Sequence, residues 1–473
     1  MDSESAALHF ISPGALSSES VFDEYAADPR FQRLQTELRS WLFVGARSGG
    51  TTRAHSVTAG EDDTLTDRTK PGHHYFGEQV FNSAQEIPVE RKLKYLKVWI
   101  TDCAPWLDMF DQERHFGLQV PILAQGSSAV FNALLAVGAR TAERQGNIAG
   151  FRDSLGLYSQ AISSLTSSLN TKEPNVVVAA CLLCVLEMMS VSPRDWRKHV
   201  EGCAALFVAS GINGFSGGLL QAVFWCYARM DLCGAIIADG AESTVMPIDK
   251  WALLSTIPPS RSDALREIKA VFWEQGRRVP DMYANYAVYL CARTCDLLSR
   301  HIRCVELGEE NGCIGESFEG AWNDLWTDLQ EWLSKRPQAM LPVDIEASSA
   351  EKGPFPHIFF AHWAAISSTQ LYHTACILLL DIKPSTETEI YRSTYYSRLW
   401  HARRIVGISL TNPHAGCINN AIQPLYVAGK LFTHPDEQNI IVNLIDSIEA
   451  RTGWGSRWRI KDLKAAWGYP RGA

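Results

Sequence analysis

Asp102, Asp108, Asp111, Glu113 and His115 crowd around Trp106. Carboxylates at this density could hold a divalent cation for a metal-dependent helical cyclase. Such a site needs a second acidic motif on a facing helix, and none is evident. Asp108 and Asp111, three apart, share a helix face beside Arg114. An ion pair or a helix cap is the more ordinary use of that spacing. Cys181-Leu182-Leu183-Cys184 is the one CxxC in the chain. It lies in the most apolar stretch, with no second CxxC at zinc-ribbon spacing. Two buried helical cysteines explain it. Gly214-Phe215-Ser216-Gly217-Gly218 fits a hydrolase elbow pattern. That elbow requires a strand before the serine, and a helix precedes it here. Arg229 and Asp231 sit in an apolar helix, where charge demands partners. They either pair within the core or line an effector cavity. His199 and His373, set among apolar residues, read as satisfied core histidines. No catalytic, cofactor or metal-binding residue is assigned on these grounds.

The elements that would position these groups are helical. Val176 to Leu186 is an unbroken apolar run, apolar on every face and therefore buried on all sides. It marks the centre of a helical domain. A second helix places Trp196, Val200, Cys203, Ala204, Phe207 and Val208 on its packed face and stops at Gly211. After the glycine-rich loop, a third runs from Leu219 to Ala238. Upstream, a helix opens at Asp28-Pro29, presents Phe31, Leu34, Leu38, Trp41 and Leu42, and should end at Gly45. It either docks on the main domain or binds a partner, and docking is the simpler expectation. Residues 1–87 otherwise lack sustained periodicity and are expected to be mostly disordered, with this one helix near 30–44. An all-helical domain is expected over 88–473.

Within that domain, Leu93, Leu96, Trp99 and Ile100 predict one helix face. Ser128 to Gln145 has small residues, including Gly138, for close packing. Helices are also expected over Leu155 to Leu169, Tyr283 to Glu306, Phe318 to Leu333 and Ile358 to Leu380. Met246-Pro247 and Pro258-Pro259 mark a long loop region. Near the end, Ile440 to Ile448 carries Asp436 and Glu437 in its first turn and Arg451 in its last, favourable to the helix dipole. The fold class is all-α, an irregular bundle or superhelix.

Composition narrows the function. The net charge is −8, so the chain as a whole gains nothing from phosphate neutralisation. Three short basic clusters, Arg91 to Lys94, His401 to Arg404 and Arg457 to Lys461, read as solvated helix faces. The twelve cysteines are scattered in apolar sequence and behave as small buried hydrophobes. No membrane span is expected, because the Val176 run is well short of about 20 residues and the Phe359–Ile382 stretch is interrupted by His362, Gln370 and His373.

Three regions carry a resemblance. The first is Trp106-Leu107-Asp108-Met109-Phe110-Asp111 with Arg114-His115-Phe116. The second is Glu187, Trp196, His199 and Gly202, followed by Phe224 to Asp231. The third is Pro424-Leu425 with Ala428-Gly429, then Thr452-Gly453-Trp454 and Trp467-Gly468. In this order they resemble the fungal-specific transcription factor domain, the regulatory region downstream of a binuclear zinc cluster. The resemblance implies an all-α fold, a nuclear transcription regulator of metabolic genes, other transcriptional proteins as partners and possible control by a small-molecule effector. The family's six-cysteine zinc module is not found in the chain, whose first cysteine is Cys103. Zinc is expected only with an upstream module of that kind, and no specific DNA binding is expected from these residues alone. A helical cyclase and a non-transcriptional scaffold are the alternatives.

Overall fold

The computed structural model describes residues 24–48, 87–146, 152–168, 174–252, 261–348, 353–384 and 393–470. The stretches expected to be disordered, 1–23 and 49–86, lie outside these residues. Sixteen helices of eight residues or more make up the described chain. They are α1 (Pro29–Ser48), α2 (Val89–Val98), α3 (His115–Ala124), α4 (Ser128–Arg144), α5 (Asp153–Ser168), α6 (Pro174–Ser190), α7 (Pro193–Ser210) and α8 (Gly218–Ile237). Then come α9 (Arg261–Arg278), α10 (Pro280–Leu307), α11 (Gly315–Ser334), α12 (Trp363–Asp381), α13 (Arg398–Thr411), α14 (Ile422–Gly429), α15 (Pro435–Thr452) and α16 (Arg457–Ala466). The fold is all-α apart from one two-stranded ribbon.

The apolar run forms α6, and every residue from Val176 to Glu187 is buried. Helices α4, α5, α7 and α8 surround it. Helix α1 lies along α7 and docks on the body rather than standing apart. It continues through Gly45 to Ser48, because packing against α7 outweighs the roughly 1 kcal/mol cost of a helical glycine. Its buried line is Phe31, Leu38 and Leu42, while Trp41 is exposed. Gly202 of α7 makes the approach possible. A Cβ there would lie 2.7 Å from Leu42 Cδ1. Val208, expected on the packed face of α7, is half exposed instead.

Helix α2 also turns differently from expectation. Its buried residues are Tyr95 and, one turn on, Trp99, whereas Leu93 and Ile100 face solvent. A π-helical turn over Trp99–Cys103 follows directly and keeps Tyr95, Trp99 and Cys103 in one line against α4. Trp99 Nε1 donates to the Phe116 carbonyl at 3.2 Å. The small residue Gly138 lets the backbones of α2 and α4 touch. A Cβ at Gly138 would sit 2.4 Å from the Tyr95 carbonyl oxygen, which is backbone and cannot rotate away. Gly138→Ala should therefore destabilise the protein by about 1–3 kcal/mol, read as a lower urea midpoint, despite alanine's better helix propensity.

The second half is organised by α10 and α12, with α9, α11 and α13 packed against them. Helix α9 occupies part of the region read as loop. Only Ile268 and Phe272 are buried hydrophobics there, too few for a visible stripe. The long helix expected from Ile358 begins at Trp363. Residues His357–Phe359 instead form β2, antiparallel to β1 (Asp344–Glu346), with Ile345 opposite Ile358. Asn412 holds this extended segment, accepting from Phe360 N at 2.9 Å and donating to the Ile358 carbonyl at 2.7 Å. His362 Nδ1 then accepts from Ala364 N at 3.1 Å and caps α12. The C-terminus closes back on the first half through Arg144, whose guanidinium donates to the Gly453 carbonyl.

The basic clusters are not simply solvated. His401 and Arg459 are buried, and Arg459 stacks on Tyr426 and Trp458 while donating to Gln423 Oε1. Arg91 pairs with Asp153 at 3.1 Å, and Arg403 pairs with Glu437 at 3.1 Å. Helix periodicity shows which face is polar. It does not show which cations the neighbouring helices cover.

Candidate functional site

A buried polar cluster that joins four helices sits at the end of α6. Glu187 is fully buried and accepts three hydrogen bonds from three other helices. Gln35 Nε2 of α1 reaches its Oε2 at 2.6 Å, and the Tyr158 hydroxyl of α5 reaches Oε1 at 2.6 Å. His199 Nδ1 of α7 lies 2.8 Å from the same Oε1. The other ring nitrogen, Nε2, is 3.1 Å from the Ala180 carbonyl. Burial alone would lower the His199 pKa. The adjacent Glu187 carboxylate reverses that and holds it above the ordinary value. Burial and the same carboxylate raise Tyr158 far above its usual range. A buried carboxylate survives only when its lone pairs are filled, and this one is satisfied from three directions.

Thiols adjoin this cluster. Cys184 of α6 and Cys203 of α7 bring their Sγ atoms within 4.8 Å of each other and of a His199 ring nitrogen. All three residues are buried. The CxxC does not act as a pair, because Cys181 turns toward Cys226 of α8 while Cys184 faces Cys203.

The acidic segment around Trp106 is divided among separate tasks. Asp108 is buried and caps α3, accepting from Phe116 N at 2.8 Å and Gly117 N at 2.9 Å. Asp111 accepts from His115 N at 2.7 Å and contacts the His115 ring at 2.8 Å. Arg114, between them, takes the left-handed backbone conformation that forms this turn. Asp102 accepts from its neighbour Thr101, so it does not join the others. Burial pushes Asp108 up to about 7, against the two backbone amides that favour its charge. Asp281, at the start of α10, was not singled out in the sequence. It is also buried and is pushed up to about 7 by burial, with Asp111 adding repulsion. Neither of its carboxyl oxygens has a well-formed hydrogen bond among the described residues, although the Gln112 amide lies near enough to favour the charge.

Arg229 and Asp231 both find partners, but not each other. Arg229 donates to the Leu107 carbonyl at 2.7 Å and faces the Phe110 ring. Asp231 accepts from Tyr227 at 2.9 Å, Val245 N at 2.7 Å and Met246 N at 2.9 Å, so it pins the loop after α8. The Gly214–Gly218 segment is a turn between α7 and α8, with Gly214 N bonded to the Trp251 carbonyl at 2.8 Å. His373 of α12 and His401 of α13 meet through their Nδ1 atoms at 2.7 Å, and His401 Nε2 donates to the Tyr395 carbonyl at 2.8 Å. Burial lowers both, His401 to about 4. A lowered base contributes stability above pH 6.5 that is lost as the pH falls toward 4. His401→Gln should therefore reduce the loss of stability between pH 6.5 and 4 by about 3 kcal/mol, measured as urea midpoints across that range.

Open grooves border α1 on two sides. One, of about 570 Å³, runs along the polar face of α1 past Gln32, Thr36 and Ser40. The other, of about 490 Å³, lies between the end of α1 and α7, lined by Phe43, Ala46, Ala204, Val208, Val245 and Pro247. The Asp108–Asp111 turn lines neither. Helix α8 is long and apolar enough to cross a bilayer by length and composition alone, and most of its most apolar stretch is buried within the bundle.

A family comparison agrees with the first two motif regions. Residues 94–265 match the family model described as the Fungal specific transcription factor domain. This span covers the first two motif regions and reaches from α2 into α9, including Glu187 and His199. Among curated proteins, the Transcription activator AMTR1 of Alternaria alternata is 25% identical over 352 residues, 65% of this chain and 45% of the relative. The chain thus spans less than half the length of the curated relative it matches. No solved structure gives a significant match.

Proposed function

We propose, from the fungal-specific transcription factor domain over residues 94–265, that this chain is the regulatory part of a nuclear transcription activator. The family match carries this reading, and the name of the AMTR1 relative supports its sign. The chain acts through other transcriptional proteins and not through specific DNA contacts of its own. Its net charge of −8 and the internal pairing of Arg91, Arg403 and Arg459 both favour that division of labour. The apolar groove between α1 and α7 is one surface that a partner helix or a small-molecule effector of metabolic gene control would use. Zinc-dependent DNA reading belongs to a separate six-cysteine module. The use of Asp108 and Asp111 as caps favours regulation over cyclase chemistry.

The test is to tether the full chain to an unrelated DNA-binding domain in a reporter strain. Increased reporter output, with nuclear accumulation of a fluorescently tagged chain, is the expected result. A well-expressed, folded fusion that leaves the reporter unchanged would overturn the reading.

A further inference from the structure

We propose that Cys184, His199 and Cys203 form a structural site for one zinc ion within the helical core. The inference is independent of the transcriptional reading. Three ligand atoms of suitable chemistry converge within 4.8 Å of one another, from residues 184, 199 and 203. Two thiolates and an imidazole supply three of the four donors that a tetrahedral zinc takes, which leaves the fourth position to a water molecule. The spacing is favourable as well. His199 and Cys203 are four residues apart on α7 and share a helix face, the arrangement by which helices present paired ligands. Cys184 faces them from α6, so the ion would fasten two helices that already pack together.

Glu187 supplies the support that such an imidazole needs. It holds His199 through Nδ1 at 2.8 Å, leaving Nε2 for the metal. Metal-bound histidines are characteristically oriented by a carboxylate on the far nitrogen. Glu187 is itself fixed by Tyr158 and Gln35 at 2.6 Å each. Nε2 now meets the Ala180 carbonyl, one helical turn before Cys184 on α6, so it already faces the side of that helix bearing the thiol. On binding, the protons of both thiols and of Nε2 leave to solvent. The dication then offsets the two thiolate charges, and the Glu187 carboxylate keeps the hydrogen bonds that stabilise it. Cys181 turns first to Cys226, with Cys184 and Cys203 also near it, and it is not among the three residues whose ligand atoms converge.

The experiment uses the full chain, with Co(II) as the spectroscopic probe for zinc, added both to the folded protein and during refolding. One equivalent should give an intense sulfur-to-cobalt absorption that zinc displaces. Cys184→Ser and Cys203→Ser should abolish the band, and Cys181→Ser should keep it. Because a core serine can unfold the protein, X-ray absorption of the zinc-loaded wild type gives a second answer. It should show two sulfur ligands at about 2.3 Å and at least one nitrogen at about 2.0 Å. Failure to take up metal by either route overturns the proposal. So does a sulfur count below two, or a band lost in Cys181→Ser but kept in Cys203→Ser.

Discussion

Glu187→Ala should lower the stability of the protein by about 3–5 kcal/mol, the cost of removing one member of a buried ion pair. Three donors lose their acceptor at once: Gln35 Nε2, the Tyr158 hydroxyl and His199 Nδ1. The effect exceeds a simple cavity, because each unsatisfied polar group also forfeits its solvation. Gln35→Ala touches only the α1 arm of the cluster and should cost about 1–2 kcal/mol. The two variants differ in a second readout. Helix α1 carries Arg30, Arg33 and Arg39, so trypsin should cleave it faster in both, whereas only Glu187→Ala should greatly lower the urea midpoint of the rest. A Glu187→Ala protein with wild-type midpoint and cleavage rate would show that the cluster does not hold these helices together.

Asp281→Asn should act in the opposite direction. The carboxylate is buried, lacks a well-formed hydrogen bond and lies near Asp111. Its pKa is raised from an unfolded value near 3.8 to about 7. For an acid raised in this way, the unfolded chain ionises first. Stability is full below about pH 4 and falls as the pH rises through 7. The neutral amide removes that loss. The Asp281→Asn substitution should therefore raise stability at pH 8 by about 2–4 kcal/mol and change little at pH 3.5. Urea midpoints of the two proteins across this range provide the check, and parallel pH profiles would refute it. Asp108 and Asp231, raised to about 7 and about 6 by burial, contribute the same slope to both proteins and cancel in the difference.

Much of the helical framework can be read from residue spacing. Val176 to Leu186 is apolar on all faces, and the chain has little choice but to bury it. Phe318 to Leu333 shows its stripe plainly, and α11 follows it. The failures share a physical cause. Tyr95 displaced Leu93 and Ile100 because a π-turn and Gly138 set the face of α2, and both depend on tertiary contact. The start of α12 moved because Asn412, more than fifty residues downstream, holds Ile358 and Phe360 extended. The polar cluster was half visible. Glu187, His199 and Cys203 stand at suggestive spacings, but nothing local announces Gln35 or Tyr158 as partners. Asp281 carries no local signal, since burial by distant elements, with Asp111 adding repulsion, is what makes its charge costly.

The reach of α1 across the sequence also bears on how the protein is made. Gln35 meets Glu187 across 152 residues, and Arg144 meets Gly453 across 309. A ribosome adding about 5–20 residues per second needs roughly 8–30 seconds to deliver Glu187 after Gln35. Through that interval the apolar line Phe31, Leu38 and Leu42 has no α7 to cover it. Until then this line is exposed apolar surface of the kind that chaperones cover. Closure at Gly453 has to wait until 309 further residues have followed Arg144, so this contact is sealed long after the first half has emerged.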